Sequence, residues 1–306
     1  MTPTIMVPLD GSPDAEHALP WAIRLATQAG AAIRLVGVHA PPAIFLDGQT
    51  LVGSLIPDDA VRDREYQYLR GIEARVRKIT AMAVSFELID GGVVPALAQH
   101  AQDLGPAWVV MTAHGRGPVA RFFLGNTAAE FVRASPAPVL LVRPAAEEAD
   151  LAIQPAVKHI LVPLDGSDLA EAILPAAEQF GREFGADYSF LLALDGVPDI
   201  EAIAARHEAG LAGPWDPTVA RPKADLYLEH VAERFRSKGL TAQSKVIAHG
   251  GTADRIVEAA AERPDTVIAL ATHGRGGLAK VVWGSVADQV VRRAVGPVLV
   301  FKPVGA

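Results

Sequence analysis

Two short stretches of this sequence carry residue types suited to holding an anion. "AHGRGP" occupies 113–118, and "THGRGG" occupies 272–277. Glycines at such a corner let backbone N–H groups approach an anion with no Cβ in the way. Gly115 is followed by nine residues and then Gly125-Asn126; Gly274 is followed by nine residues and then Gly284-Ser285. A helix opening at either place offers unpaired N–H groups and the positive end of its dipole to a phosphate. Arg116 and Arg275 either reach phosphates or stay in solvent. His114 and His273 either act in catalysis or pack at a strand end, and no acid at an evident position partners them. Ser285 has a second reading, because "SVAD" (285–288) is a capping-box pattern with Asp288 as partner. Asn126 can cap in the same way.

A second polar corner is also duplicated. Asp10-Gly11-Ser12 closes "IMVPLDGS", and Asp165-Gly166-Ser167 closes "ILVPLDGS". Either aspartate could meet a ligand or hold the turn into the next helix. The pattern is not a Walker loop, since no G-x-x-x-x-G-K-[ST] occurs. It is a poor dinucleotide fingerprint too, because the glycines follow a late strand rather than the first. No His, Asp or Glu spacing suggests a metal cage, and no catalytic residue is assigned.

The elements that would position these corners recur as well. Residues 5–22 match 160–177, and "APVLLVRP" (137–144) matches "GPVLVFKP" (296–303). The repeat is far too long for a solenoid unit, so it reads as a duplicated domain. The expected domains are 1–144 and 157–306, joined by an acidic, Ala-rich linker at 145–156. Each opens on a short apolar strand. Ser12 and Ser167 then suit an N-cap, and Gly30 and Gly185 suit helix ends. Pro20 and Pro175 fall inside the helical pattern and predict a kink. Further strands are expected at 32–39, 83–89, 107–113 and 138–143, and at 188–194, 241–248, 266–272 and 297–302. Helices are expected near 58–80 and 93–104, and near 222–238 and 252–263. Continuous apolar strands alternating with helices predict an α/β fold with a parallel sheet covered on both faces. In such sheets ligands bind beyond the carboxyl ends of the strands, where the strand order reverses. Together the two corners describe a nucleotide cradle.

Composition narrows the classes. The chain has 306 residues, half of them hydrophobic and 21% charged, with a net charge of −7. That balance argues against nucleic-acid and membrane-surface binding. There are no cysteines, so thiolate chemistry is excluded and a reducing compartment fits. The start, "MTPTIMVPLDGS", has no signal-peptide pattern, and no apolar run approaches a membrane span. A cytoplasmic location is expected.

The strand-one "VPLDGS", the "HGRGG" after the fourth strand, the Gly-Ser beyond it and the closing "PVLVF" together resemble the universal stress protein family, over nearly the whole chain as two tandem domains. The family pattern is Gly, two residues, Gly, nine residues, then Gly and Ser, Thr or Asn. Its first glycine is Thr112 in one half and Ala271 in the other, and Pro118 stands where the second half has Gly277. The resemblance implies a five-stranded, doubly wound parallel sheet per domain in the order 3-2-1-4-5, of the adenine nucleotide alpha hydrolase-like type. It implies bound ATP or AMP, with Mg held through the phosphates if ATP. The base would lie near Asp10-Gly11 or Asp165-Gly166 and meet backbone groups of Val38 or Ala193. The phosphates would lie on Gly115, Arg116, Gly117, Gly125, Asn126 and Thr127. In the second half they would lie on His273, Gly274, Arg275, Gly276, Gly277, Gly284, Ser285 and Val286. It also implies pairing through the last strands, as an internal pseudo-dimer and in a possible homodimer, and a role as a stress-response binding switch. A slow ATP hydrolase and a scaffold without nucleotide are the alternatives.

Overall fold

A computed structural model describes residues 2–40, 43–46, 49–52, 58–113, 125–194, 217–247, 251–272 and 284–302. The chain divides into two compact units, Met1–Pro155 and Ala156–Ala306.

The first unit begins with strand β1 (Thr4–Pro8), whose Ile5, Met6 and Val7 are wholly buried. Helices α1 (Pro13–Glu16) and α2 (Ala18–Ala29) lead to β2 (Ala32–His39). A small antiparallel hairpin, β3 (Ala43–Leu46) and β4 (Gln49–Val52), precedes the long helix α3 (Asp58–Arg77). Then follow β5 (Val84–Asp90), α4 (Val93–Leu104), β6 (Trp108–Thr112), α5 (Asn126–Ala134) and β7 (Val139–Val142). The main sheet is parallel, in the order β5-β2-β1-β6-β7. Counted without the hairpin, this is 3-2-1-4-5. Winding to one side and then the other sends α2 and α3 to one face and α4 and α5 to the opposite face, because parallel crossovers are right-handed. The order reverses between β1 and β6.

The second unit repeats the plan. It runs β8 (His159–Pro163), α6 (Asp168–Glu171), α7 (Leu174–Phe184), β9 (Asp187–Ala193), α8 (Pro217–Arg236), β10 (Ala242–Ile247), α9 (Thr252–Ala261), β11 (Thr266–Ala271), α10 (Ser285–Arg293) and β12 (Val298–Phe301). Its parallel sheet has the order β10-β9-β8-β11-β12. β10 sits at the edge, with Ala242 and Val246 buried and Gln243 and Lys245 exposed.

The caps follow the sequence closely. Ser12 Oγ accepts from Ala15 N–H at 3.2 Å, and Ser167 Oγ accepts from Ala170 N–H at 3.1 Å. Gly30 and Gly185 end their helices in the left-handed conformation, at φ 60° and 64°. The prolines do not kink one helix. Each helical stretch splits instead into a Ser-capped single turn and a second helix. Pro20 and Pro175 lie in the first turn of that second helix, where backbone N–H groups have no acceptor inside the helix. Missing an N–H costs nothing there.

The capping-box expectation at Ser285 is also corrected. Gly284 is the N-cap of α10, and no side chain caps that end. Asp288 instead accepts from Arg292 Nε at 2.8 Å. Gly125, not Asn126, is likewise the N-cap of α5, again with no side-chain cap. The duplicated "Gly then small polar residue" therefore places a glycine at each helix opening and leaves the first turn without a side-chain cap. Among the described residues, no helix is long and apolar enough to cross a membrane.

Candidate functional site

The site is built where β1 ends. Leu9 N–H donates to Val36 O at 2.8 Å, the last rung between β1 and β2. The chain then turns through Asp10-Gly11-Ser12. Asp10 Oδ1 accepts from Ser12 N–H at 2.9 Å and from Ser12 Oγ at 2.5 Å. Gly11 has φ 79°, in the left-handed region where a Cβ is strained. The aspartate thus does hold the turn, through one of its two oxygens. The second unit repeats this: Asp165 Oδ1 accepts from Ser167 N–H at 2.9 Å and Oγ at 2.6 Å, and Gly166 has φ 83°.

β2 runs on past the end of β1. Backbone polar groups of alternate residues in a strand point to the same side. Val36 O faces β1, so Val38 N–H and C=O face the same way, over ground that β1 has already left. Val38 pairs in register with Ile89 on the other flank, and His39 O accepts from Gly91 N–H at 3.1 Å there. The end of β2 thus carries a donor and an acceptor side by side, beyond the end of β1. In the second unit Leu164 N–H donates to Leu191 O at 2.8 Å, so Ala193 presents the same edge.

The other wall comes from the fourth long strand. β6 ends at Thr112 and β11 at Ala271. Gly125 N–H donates to Ala113 O at 2.8 Å, and Gly284 N–H donates to Thr272 O at 2.9 Å. Each helix opening is thereby pinned to the tip of the strand before it.

In the first unit these parts enclose a cavity of about 470 Å³, within the range of small-molecule sites. Asp10, Val38, Thr112, Gly125, Asn126 and Thr127 all line it. Six residues expected from the sequence therefore meet around one space at the reversal of strand order. Gly11 lies just outside, on a second cavity of about 420 Å³ that shares Leu9, Asp10 and Val38 with the first. That second cavity lies on the α3 side and is walled by Val61, Arg64, Glu65 and Tyr68. In the second unit Asp165, Gly166, Ala193, Ala271, Gly284, Ser285 and Val286 occupy the corresponding strand and helix ends. The glycine corners themselves lie outside the described residues: Gly115, Arg116 and Gly117, and His273, Gly274, Arg275, Gly276 and Gly277.

Sequence reasoning missed the contribution of α4. Val93 and Leu97 line the first cavity. Their signal is faint, an apolar pair four residues apart after Gly91-Gly92. Asp10 is the one ionisable side chain among the described residues lining this cavity. Among the described residues, no group of three His, Cys, Asp or Glu is placed to hold a metal ion.

With this geometry in place, likeness to known proteins decides the family. The universal stress protein family model matches residues 1–143 and again 156–302. The chain belongs to the universal stress protein family. It is 26% identical over 316 aligned positions to a universal stress protein of Mycobacterium tuberculosis, covering 97% of this chain and 94% of that one. A shorter universal stress protein of Methanocaldococcus jannaschii is 28% identical over 147 positions, covering 47% of this chain and 82% of its own. The crystal structure of a universal stress protein from Archaeoglobus fulgidus superposes with a TM-score of 0.68 at 17% identity, covering 98% of this chain and 96% of that one. This last likeness bears on the fold: it spans both halves of the tandem.

Proposed function

We propose that this tandem universal stress protein is a cytoplasmic binding switch for an adenine nucleotide, ATP or AMP. One observation carries the reading: the first cavity runs from the Val38 peptide edge, past Asp10, to the uncapped start of α5. These three stations suit the three parts of a nucleotide. Val38 offers a donor and an acceptor to the edge of a base. The Asp10 oxygen not held in the turn can accept from a ribose hydroxyl. The N–H groups of the first turn of α5 point at a phosphate, assisted by the helix dipole. The glycine corner would complete the phosphate cradle, and Mg would enter on the phosphates rather than on protein ligands. Asp165, Ala193, Gly284, Ser285 and Val286 would serve a second nucleotide in the same roles.

Asp10, the one ionisable group among the described lining residues, is tied into a turn. A binding protein acts on a partner only if nucleotide favours one state of its surface over another. The starts of α5 and α10, beside the glycine corners, are the surfaces a phosphate would order.

Isothermal titration of the full chain with Mg-ATP tests this. Saturable heat that is lost when both Gly125→Val and Gly284→Val are present is the expected result. Saturable heat unaffected by the double substitution would place any nucleotide elsewhere, and absence of heat in the unsubstituted chain would refute the reading.

A further inference from the structure

The two units differ at a buried position just past the Val38 edge. His39 directly follows Val38, at the tip of β2, and its side chain is 3% exposed. Gly37 and His39 share one face of the strand, and a Cβ built on Gly37 would lie 2.8 Å from Leu69 of α3. His39 therefore points toward α3, on the opposite face of the sheet from the first cavity. There it meets two carboxylates. Glu65 Oε2 lies 2.7 Å from Nδ1, and Asp58 Oδ1 lies 3.1 Å from Nε2. A neutral imidazole carries one N–H and one lone pair, and a lone pair facing a carboxylate oxygen repels it. Both contacts are attractive only when both ring nitrogens donate, that is, for the imidazolium.

Among the described residues, Asp90 and Arg62 are the further charges beside this clamp. Asp90 pairs in register with His39 on β5, and Arg62 of α3 bonds Asp90. With His39 protonated, two cations face three carboxylates; with it neutral, one does. Glu65 also lines the second cavity, together with Asp10 and Val38. The clamp thus ties the first two turns of α3 to the one stretch of β2 that has no β1 beside it. In the second unit Leu194 takes the place of His39 and Ala224 that of Glu65, both buried apolar groups with nothing to titrate.

We propose that His39 is a positioning residue that sets the Val38 edge through its clamp on Asp58 and Glu65, and that it makes the first unit's site, but not the second's, respond to pH. The proposal rests on the reading of that site as a nucleotide site. Its direction follows from the geometry. Protonated, His39 holds both acids and fixes the strand tip. As it deprotonates, one carboxylate loses its donor, the start of α3 is released, and the edge binds less tightly. Hydrogen bonding to Glu65 raises the His39 pKa above 6.5, and burial opposes this without reversing it. The clamp is therefore fully present below 6.5 and fades as pH rises through the higher folded value.

Two measurements on the full chain separate this from the nucleotide reading. The first is Mg-ATP affinity of a chain carrying Gly284→Val, at about pH 5.5 and about pH 8.5, on either side of histidine's usual range. The same titration with His39→Leu or His39→Gln added cancels the ligand's own ionisation. Binding in the parent should strengthen at the lower pH by about fivefold more than in either variant, a modest coupling for two linked sites. Parent and variants that change equally with pH would overturn the proposal while leaving nucleotide binding intact. The second measurement needs no ligand. In a nuclear magnetic resonance titration the Val38 amide should move with the midpoint of the His39 ring, and Glu65→Gln should lower that midpoint. A Val38 amide indifferent to His39 titration would overturn the proposal whatever the nucleotide result.

Discussion

At the scale of single residues, Asp10 both holds a turn and lines the first cavity, and substitution can separate the two. Its Oδ1 holds Ser12, and on the proposed reading its other oxygen meets the ribose. Asp10→Asn keeps an acceptor for the turn and removes the charge, so its urea midpoint should stay near that of the parent. Asp10→Ala removes the acceptor and should cost about 1 kcal/mol, the usual worth of such a bond. Both should weaken Mg-ATP binding. If Asn binds as the parent does, the carboxylate serves only the turn. Gly11 makes a cleaner stability test. A Cβ there would touch nothing within 4 Å, but the backbone sits at φ 79°. Gly11→Ala should therefore lose about 1–2 kcal/mol from conformation alone, read as a lower urea midpoint at unchanged slope.

At the scale of elements, much of the chain was legible and the exceptions have physical causes. Every long strand, the caps at Ser12 and Ser167, and the terminators Gly30 and Gly185 followed from periodicity and residue type. The hairpin of β3 and β4 was missed, although Asp47-Gly48 between apolar runs is a strong turn signal. Four-residue strands carry too little periodicity to stand out. The split helices were missed because a proline inside an apolar pattern reads as a kink until the new N-terminus is seen. Of the site, the strand and helix ends were legible as motifs. The His39 clamp was not, because its two acids lie 19 and 26 residues away on a helix whose register depends on the intervening segment.

The packing of the second unit's elements yields two predictions. An alanine at Gly181 of α7 would drive its Cβ into the ring and hydroxyl of Tyr188 on β9. That hydroxyl donates to Glu178 O at 2.9 Å and is not free to move. Gly181→Ala should cost about 1–3 kcal/mol by overpacking, seen as a lower melting temperature. At the start of β8, His159 is buried beside Asp187, and Arg263 reaches both, at 2.8 Å to each. Burial lowers the His159 pKa below 6.5. Burial tends to raise that of Asp187, but hydrogen bonds from Arg263 and His159 outweigh it and bring it below 3.8. Both folded values are depressed, so the cluster stabilises the fold above 6.5. Its contribution falls first as pH drops through the histidine range, and again as it drops below 3.8. Denaturation across that range should show the decline. Asp187→Asn should lower stability at neutral pH and flatten the acid limb; an unchanged pH profile would contradict the assignment.

At the scale of the whole molecule, one chain carries two copies of the same plan with unequal fittings. Both copies place a glycine N-cap at the mouth of a helix and an Asp-Gly-Ser turn after the first strand. They differ at Thr112 against Ala271, at Val38 against Ala193, and at His39 against Leu194. On the proposed reading, repeated mouths with unequal walls would give the two units different affinities for one ligand class. The most direct measurement is thermal melting of the full chain with and without millimolar Mg-ATP, for the parent, Gly125→Val, Gly284→Val and the double variant. A ligand that binds only the folded protein adds about 2.7 kcal/mol per site at a hundredfold excess over its dissociation constant. The parent should melt higher with Mg-ATP, each single variant should keep part of that rise, and the double variant should keep none. A parent that melts at the same temperature with and without Mg-ATP, and purifies free of nucleotide, would contradict the account: the two glycine mouths would then serve only to turn the chain.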